Sequence, residues 1–186
     1  MKKFLLIFTL FFASSCELPS IIQADQYIEP LPTELSSNIS DYESVWERII
    51  DTTSSENTAL DEKTLRYINR YLANPAQFNK LLEKGRYFIF FVLEELERYR
   101  LPPELALLPY IESNYDPFSI SASGAMGIWQ FMPATARIYG LKDTWWYEQR
   151  HDPLVSSKAA VRYLAYLHNR FNKELSYTLA AYNGGP

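Results

Sequence analysis

Glu112 is the residue whose type and position most directly suggest chemistry. Two prolines and a glutamate at 102–104 favour the start of a helix, after which Leu105, Leu108 and Glu112 follow with helical spacing on one face. The turn-forming run S-N-Y-D-P ends that helix directly after Glu112. Partial burial and the unpaired carbonyls of a helix C-terminus both disfavour a charged carboxylate, so both raise its pKa. A proton retained towards neutral pH is what a general acid needs.

The alternative for Glu112 is an ordinary solvated or ion-paired residue, which is the commoner role of a glutamate at a helix end. Asp116 offers a second carboxylate, but its place before Pro117 favours a turn-forming role. Pro109 lies inside the expected helix and removes one backbone hydrogen bond, which predicts a kink one turn before Glu112. A catalytic role for Glu112 therefore depends on the residues that the fold brings close to it.

Composition restricts the possible partners and cofactors. The 186 residues carry a net charge of −4 with a pI near 5.3, which argues against a nucleic-acid partner. The single cysteine, Cys16, has no internal disulfide partner and no zinc-like spacing with His151 or His168, so neither a metal nor another cofactor is expected. Aromatic residues make up 16% of the chain. They usually fill a core, but Tyr and Trp also form flat walls on which sugar rings stack.

The N-terminal segment has the organisation of a secretory signal. Residues 1–15 combine a basic start, an apolar run and small residues before Cys16, and the run is too short for a stable membrane helix. Three prolines, scattered serines and no sustained period at 17–39 predict a flexible tether. The folded part of the chain is therefore expected to begin near residue 40.

Helical patterns account for the rest of the chain, and no strand signal is strong, so the predicted fold is all-α. The N-terminal helical region is expected over 40–100 and begins with a capping-box pattern at Ser40 and Glu43. A second helix of this region carries an apolar face and ends at Asn74-Pro75. That face consists of Leu65, Ile68 and Leu72.

Three further segments support the all-α prediction. The run YFIFFV at 87–92 could be a strand in isolation, but the leucines and the E-E-L-E-R cluster that follow favour a helix. Asp152 and Pro153 are a typical helix start, and the helix that they open has an apolar face that includes Leu164. Residues 176–182 predict a last short helix closed by Asn183 and Gly184.

Three segments of the chain resemble one protein family in order and in spacing. They are Y-I-E-S-N-Y at 110–115, G-A-M-G-I-W-Q-F-M-P-A-T-A at 124–136 and A-A-Y-N-G-G-P at 180–186. Together they look like the soluble lytic transglycosylase domain of the goose-type lysozyme-like superfamily. The flanking Y-G-L-K-D-T-W-W-Y and R-H-D-P are similar to the membrane-bound lytic murein transglycosylase D branch.

The resemblance implies a lysozyme-like helical catalytic domain over 101–186. In the family this domain normally continues for another helix or more beyond the third motif. The resemblance therefore also implies a catalytic domain that is incomplete at its C-terminus.

The same resemblance implies that Glu112 is the catalytic acid of a lytic transglycosylase that remodels the cell wall. Such an enzyme cleaves the β-1,4 bond between N-acetylmuramic acid and N-acetylglucosamine in peptidoglycan. Glu112 first protonates the glycosidic oxygen, and its carboxylate then accepts the proton of the muramic C6 hydroxyl as that oxygen attacks the anomeric carbon. The product is a 1,6-anhydromuramic end, so the reaction needs no second carboxylate. A goose-type lysozyme-like hydrolase and a non-catalytic peptidoglycan-binding protein are the alternatives.

Five further residues are expected, by resemblance, to support catalysis or bind the glycan. They are Ser113, Gln130, Met132, Tyr182 and Asn183. Judged by residue type alone, Ser113 either orients the Glu112 carboxyl or caps the helix, and Asn183 would be a helix C-cap. Gly124 and Gly127 either allow a close backbone approach or form a plain tight turn, with equal weight.

The tryptophans have two possible roles. Trp129, together with Phe131 and Met132, is more typical of a core than of a sugar platform. Trp145 and Trp146 could form a wall of the substrate cleft, and a buried aromatic pair is an equally good interpretation.

The sequence A-S-S-C at 13–16 resembles a bacterial lipobox, with Ala13 in place of the usual Leu. The resemblance implies that the signal is removed and that Cys16 is acylated, which would anchor the protein to a membrane. Glu17 stands where retention on the inner membrane usually requires Asp, so the outer membrane of a Gram-negative bacterium, facing the periplasm, is favoured. The alternative is an ordinary signal with a chance cysteine.

Overall fold

The computed structural model describes residues 44–53 and 62–185, which form eight α-helices joined by turns and irregular segments. The helices are α1 (Val45–Thr52), α2 (Glu62–Leu72), α3 (Pro75–Gly85), α4 (Ile89–Arg98), α5 (Leu108–Ser113), α6 (Pro133–Ile138), α7 (Pro153–Arg170) and α8 (Leu175–Gly184). Two short 3-10 helices span Pro103–Leu107 and Gln149–His151. Within the described ranges there are isolated β-bridges but no strand, so the all-α prediction is confirmed.

The signal over 1–15, Cys16, the tether over 17–39 and the capping box at Ser40 and Glu43 lie outside the described residues. None of the helices in the described ranges has the length and apolar character needed to cross a membrane.

The long helix α7 is the centre of the fold. It begins as predicted, because Asp152 Oδ1 accepts hydrogen bonds from the backbone N–H groups of Leu154 and Val155, both at 3.0 Å, and Pro153 occupies the first turn. Its buried face packs against α4 and α8. The fully buried residues of that face include Ala160, Leu164 and Leu167, and those of α4 include Val92, Leu93 and Leu96.

The helix expected to carry Glu112 is divided into two pieces. A 3-10 helix spans Pro103–Leu107, and α5 then spans Leu108–Ser113 with Pro109 in its first turn. Proline has no backbone N–H with which to continue a preceding helix, so the chain changes helix type at this point. This change of helix type lies at the position where the kink was predicted.

Of the N-terminal helices, α1 and α3 contact the core, α1 through the first 3-10 helix and α3 through α5. The N-cap of α1 is Ser44, since the Ser44 hydroxyl accepts a hydrogen bond from the Glu47 N–H at 3.2 Å. Arg48 of α1 is buried and forms ion pairs with Glu94, at 2.6 Å, and Glu97 of α4. These ion pairs fix α1 against the helix that packs on α7.

The other predicted elements differ from the structure in detail. The YFIFFV run is helical from Ile89, as predicted, because it supplies one face of the core. The apolar face predicted for α2 is present, but Leu65, Ile68 and Leu72 are all exposed. Helix α8 continues through Asn183 and Gly184, so the predicted end was too early. Its C-cap is Gly185.

Candidate active site

Glu112 lies in the last turn of α5, where a tight turn stops the helix. Asn114 and Tyr115 both have left-handed backbone conformations, with φ of 56° and 58°. Their N–H groups donate to the carbonyls of Tyr110, at 3.2 Å, and Pro109, at 3.0 Å. The end of the helix is therefore closed by its own backbone, as the S-N-Y-D-P run predicts.

The Glu112 carboxyl is partly buried, and no hydrogen bond or ion pair of the described residues involves it. Burial raises its pKa above the usual value for a glutamic acid, because the charged form loses solvation. The predicted direction of the shift is confirmed, and burial is its cause. A carboxyl with a raised pKa keeps its proton to higher pH and can donate it to an oxygen of a bound ligand.

Two buried tyrosines hold α5 in place. The Tyr110 hydroxyl donates to the Leu82 carbonyl of α3 at 2.7 Å, and the Tyr115 hydroxyl donates to the Ala106 carbonyl at 2.7 Å. Their rings meet edge to face with centroids 4.5 Å apart. A Cβ on Gly85 would lie 2.2 Å from the Tyr110 hydroxyl oxygen, so only glycine allows this approach. Sequence analysis did not identify this support, which joins residues far apart in the chain.

Ser113 connects α5 to the loop over 124–132, which we call the glycine loop. Its hydroxyl donates to the Ile128 carbonyl at 2.9 Å, and the Pro109 carbonyl is a second acceptor at 3.3 Å. Of the two roles considered for Ser113, the geometry matches neither fully. The hydroxyl fixes the end of the helix to the loop and makes no hydrogen bond with Glu112.

Tyr182 of α8 contacts the same loop. Its hydroxyl donates to the Trp129 carbonyl at 2.8 Å. Burial raises the pKa of this phenol well above its usual value, and the negative charge of Glu112 raises it further. The phenol therefore stays protonated, within electrostatic range of the Glu112 carboxyl. Trp129 itself is fully buried and donates from Nε1 to the Ser157 hydroxyl of α7 at 2.8 Å, so its predicted core role is confirmed.

The two glycines of the loop serve different purposes. Gly127 has φ of +77°, and a Cβ there would lie 1.8 Å from the Arg150 carbonyl oxygen. Gly124 has φ of +84° with no heavy atom within 4 Å of an added Cβ. The close-approach interpretation therefore applies to Gly127, and the plain-turn interpretation applies to Gly124.

Arg150 is the residue of this region that sequence analysis missed. Its side chain is buried and donates to the loop carbonyls of Gly124, at 3.1 Å, and Phe131, at 3.3 Å. It also forms an ion pair with Glu148, at 2.6 Å, and this arginine lowers the pKa of that carboxyl. In the sequence, Arg150 opens the R-H-D-P segment and follows a Glu by two positions, but charged residues before a helix start are usually exposed.

The remaining predicted residues are less closely grouped. The Gln130 amide nitrogen donates to the carbonyls of Gly127, at 2.9 Å, and Ser119, at 3.3 Å, so it is used inside the loop. Met132 is 43% exposed, so the core role considered for it is wrong. Asn183 is exposed on α8. No hydrogen bond of the described residues joins Gln130, Met132 or Asn183 to Glu112.

Trp145 and Trp146 are on the surface, 88% and 75% exposed, with ring centroids 4.6 Å apart, so the interpretation as a buried pair is wrong. They line a groove of about 700 Å³, which we call the aromatic groove. Its other walls include Phe88, Thr144, Tyr147, Glu148, His151, Asp152, Pro153 and Leu154. His151 Nδ1 lies 2.7 Å from the Pro117 carbonyl, so this groove adjoins the turn that follows the Glu112 helix.

Asp116 does not supply a second carboxylate to the site. Its Oδ1 accepts a hydrogen bond from the Phe118 N–H at 2.9 Å, which confirms the predicted turn-forming role. Among the residues that the structure describes, no group of three or more His, Cys, Asp or Glu side chains could hold a metal ion. The site therefore offers one partly buried carboxyl with a raised pKa, a nearby phenol and an aromatic surface.

Comparison with known proteins gives several relatives with sequence identities of 35–37%. The chain is 35% identical over 116 residues to the membrane-bound lytic murein transglycosylase D of Escherichia coli strain K12, which is 62% of this chain and 26% of that protein. It is 37% identical over 98 residues to a putative tributyltin chloride resistance protein of Alteromonas sp. strain M-1, covering 53% of this chain and 47% of that protein.

A third relative is the membrane-bound lytic murein transglycosylase F of Desulfosudis oleivorans, 36% identical over 87 residues, or 44% of this chain and 18% of that protein. The chain thus spans less than half the length of each of these three relatives. The family model described as "Transglycosylase SLT domain" matches residues 91–186, which is slightly more than half of the chain and includes Glu112, the glycine loop and Tyr182. The chain therefore belongs to the transglycosylase SLT domain family.

Proposed function

We propose that this protein is a lytic transglycosylase that cleaves the bond between N-acetylmuramic acid and N-acetylglucosamine in peptidoglycan. One observation carries the proposal: Glu112 is a partly buried carboxyl with a raised pKa and no charged partner among the described residues. The relatives named as lytic murein transglycosylases support the substrate class.

The chain's own residues would act in two steps. Glu112, neutral before reaction, donates its proton to the glycosidic oxygen as the bond to the anomeric carbon breaks. The same carboxylate then accepts the proton of the muramic C6 hydroxyl, whose oxygen forms the new bond to that carbon. Protons and atoms balance within the glycan, because the carboxyl ends as it began. Tyr182 is a neutral phenol within electrostatic range of this carboxyl.

The turn-forming role of Asp116, the carboxylate that follows Glu112 in the described chain, favours this mechanism over hydrolysis. Inverting and retaining glycosidases generally use two carboxylates, one as the acid and the other as a base or nucleophile. Here Asp116, four residues after Glu112, accepts a hydrogen bond within its own turn. An attacking hydroxyl supplied by the substrate removes the need for that second group.

Digestion of purified murein sacculi, followed by mass spectrometry of the soluble products, tests the proposal. We expect 1,6-anhydro ends from the wild type, none from Glu112→Gln, and unchanged products from Asp116→Asn as a matched control. Reducing ends, heavier by one water, would identify a goose-type lysozyme-like hydrolase instead. Binding of sacculi by the wild type without any release would identify a non-catalytic binding protein.

The aromatic groove is the proposed extension of the glycan site. Trp145 and Trp146 offer exposed rings to sugar faces, and the groove adjoins the turn after Glu112 through His151. Replacing both tryptophans by alanine should raise KM for sacculi several-fold, with a smaller effect on kcat. Tyr177→Ala, another exposed aromatic on α8, is the matched control. An unchanged KM for the double variant would remove this groove from the site.

We propose that three further residues bind the glycan, because they belong to the segments that resemble the family and their side chains are at least partly exposed. Gln130, Met132 and Asn183 are all at least partly exposed and belong to the matched segments. Single alanine substitutions should raise KM for sacculi more than they lower kcat. If all three leave KM unchanged, the glycan does not reach these positions.

We also propose that the protein is anchored in the bacterial cell envelope through an acylated Cys16. The A-S-S-C motif supports this, and two of the relatives are named as membrane-bound. The wild type should incorporate labelled palmitate and fractionate with the outer membrane. Cys16→Ser should do neither, and a wild type that stays unlabelled would contradict the anchor.

A further inference from the structure

A second groove lies beside the end of the Glu112 helix, and we call it the basic groove. Its volume is about 490 Å³, and its walls come from α2, α3 and Asn114. Asn114 is the left-handed residue that follows Ser113. The groove therefore opens next to the turn that ends the Glu112 helix. Its size lies in the range of small-ligand sites.

Positive charge is concentrated in this groove. Arg70 of α2 and Lys80 and Lys84 of α3 line it, and no carboxylate is among its described lining residues. None of the three cations forms an ion pair with a described residue. The chain as a whole has a net charge of −4, so this local excess runs against its overall sign. Clefts lined by one sign of charge attract ligands of the other sign.

The groove also has polar and aromatic groups suited to an organic anion rather than a bare ion. Asn74 and Asn114 bring amide groups, while Tyr71 and Phe78 form a ring pair with centroids 5.6 Å apart. The α2 and α3 residues lie before residue 91, outside the segment that the family model matches. The groove is therefore built mostly by helices other than those of the matched catalytic segment.

We propose that the basic groove binds the carboxylates of the peptide stems of peptidoglycan. This inference rests on the proposed function, because the stem is attached to muramic acid, the sugar whose glycosidic bond Glu112 would cleave. A glycan seated at Glu112 places its stem within a few residue lengths of that carboxyl, and Asn114 places the groove at the same helix end. Lysine and arginine side chains at the rim give charge-assisted hydrogen bonds to carboxylates.

Binding is measured by calorimetry with the whole chain carrying Glu112→Gln, which removes turnover. The probes are a murein disaccharide with its peptide stem and the same disaccharide after an amidase has removed the stem. Lys80→Gln/Lys84→Gln should raise Kd for the peptide-bearing probe roughly five- to tenfold and leave Kd for the stripped probe unchanged. Arg137→Gln/Lys142→Gln removes the same charge outside both grooves and should have no effect on either probe.

Salt provides a second measurement that needs no substitution in the groove. The chain carrying Glu112→Gln should bind the peptide-bearing probe with a lower Kd than the stripped probe. The ratio of the two Kd values should approach one at high ionic strength, because salt screens exposed charges. Equal Kd values for both probes at low salt would overturn the proposal while leaving the glycan site intact. Failure to bind either probe would contradict the proposed function as well. The proposal would also be overturned if the chain showed no preference for the peptide stem but bound phosphatidylglycerol vesicles, and if Lys80→Gln/Lys84→Gln abolished that binding. Such a result would assign the groove to a membrane surface.

Discussion

Two partly buried glutamates of this protein behave in opposite ways. Glu112, at the end of α5, has no charged partner among the described residues, and burial raises its pKa. Glu148, in the turn before α7, accepts hydrogen bonds from Arg150, which lower its pKa. Burial acts against the charged form in both, so the partner decides the sign of the shift. An unpaired carboxyl is suited to proton transfer, and a paired one is suited to holding structure.

The Glu148 and Arg150 pair serves the Glu112 site indirectly. Arg150 reaches from Glu148 to the carbonyls of the glycine loop. That loop in turn accepts hydrogen bonds from Ser113, beside Glu112, and from Tyr182. The protein thus uses one carboxylate to fix the loop that shapes the surroundings of the other.

The sharpest test of the difference is Glu112→Gln, which should reduce turnover roughly 10²- to 10⁴-fold, the usual contribution of a general acid and base. The same variant should be more thermally stable than the wild type at neutral pH, because it removes a carboxylate whose ionisation burial opposes. This stability difference should vanish at acid pH, where the wild-type carboxyl is protonated. Thermal melts across pH and product release from sacculi provide the two measurements. If Glu112→Gln keeps its activity, Glu112 is not the proton donor and does not differ from Glu148 in this respect.

Gly127→Ala should cause the largest loss of stability, roughly 3–5 kcal/mol. The new Cβ would meet the Arg150 carbonyl at 1.8 Å in a backbone conformation that disfavours side chains. Gly124→Ala is the matched control, with a similar φ but open space, and should cost only about 1–2 kcal/mol. Urea unfolding of both variants measures the difference, and equal losses would show that the close approach to Arg150 has no energetic role.

Arg150→Met should destabilise the protein by about 3 kcal/mol, since it leaves the Glu148 carboxylate and two loop carbonyls without their donor. The double variant Arg150→Met/Glu148→Gln should recover part of that loss, because the unpaired charge is removed as well. Chemical denaturation gives both values. Full stability of the single variant would mean that the pair does not support the glycine loop.

The pH dependence should separate the two carboxyls. The kcat/KM should fall as pH rises through the raised pKa of Glu112, because the proton donor is lost. Stability from Glu148, whose folded pKa is lowered, is present above its unfolded pKa and is lost as pH falls through the folded value. Kinetics and melts on one set of buffers measure both. If kcat/KM instead falls at the pKa of an ordinary exposed glutamate, then burial does not raise the pKa of Glu112.

The smallest expected effect is that of Tyr182→Phe, which removes the hydrogen bond to the Trp129 carbonyl and should cost about 1 kcal/mol of stability. It should also move the alkaline limb of kcat/KM slightly, because the phenol is within electrostatic range of Glu112. Tyr163→Phe, which changes a ring neighbour of Tyr182, is the control. A stability loss with an unmoved pH profile would restrict Tyr182 to a structural role.

Much of this arrangement is local, and local features could be predicted. The α7 start at Asp152 and Pro153, the break at Pro109 and the turn after Glu112 each depend on residues within one or two helical turns. The three motif segments likewise identified the family and the candidate acid from residue order and spacing. The predictions that missed, such as the burial of the tryptophan pair, depended on what lies across the fold.

The sequence alone determined an all-α chain with one well-placed carboxyl at a helix end, because helix periods, caps and turns are set by neighbouring residues. Only the tertiary structure decided which groups surround that carboxyl. The hydrogen bonds that bring Ser113 and Tyr182 to the glycine loop join residues 15 and 53 positions apart. Whether an arginine is buried, or a tryptophan exposed, depends on such distant partners. Solvation and pairing are properties of the packed molecule, and they determine the pKa of Glu112.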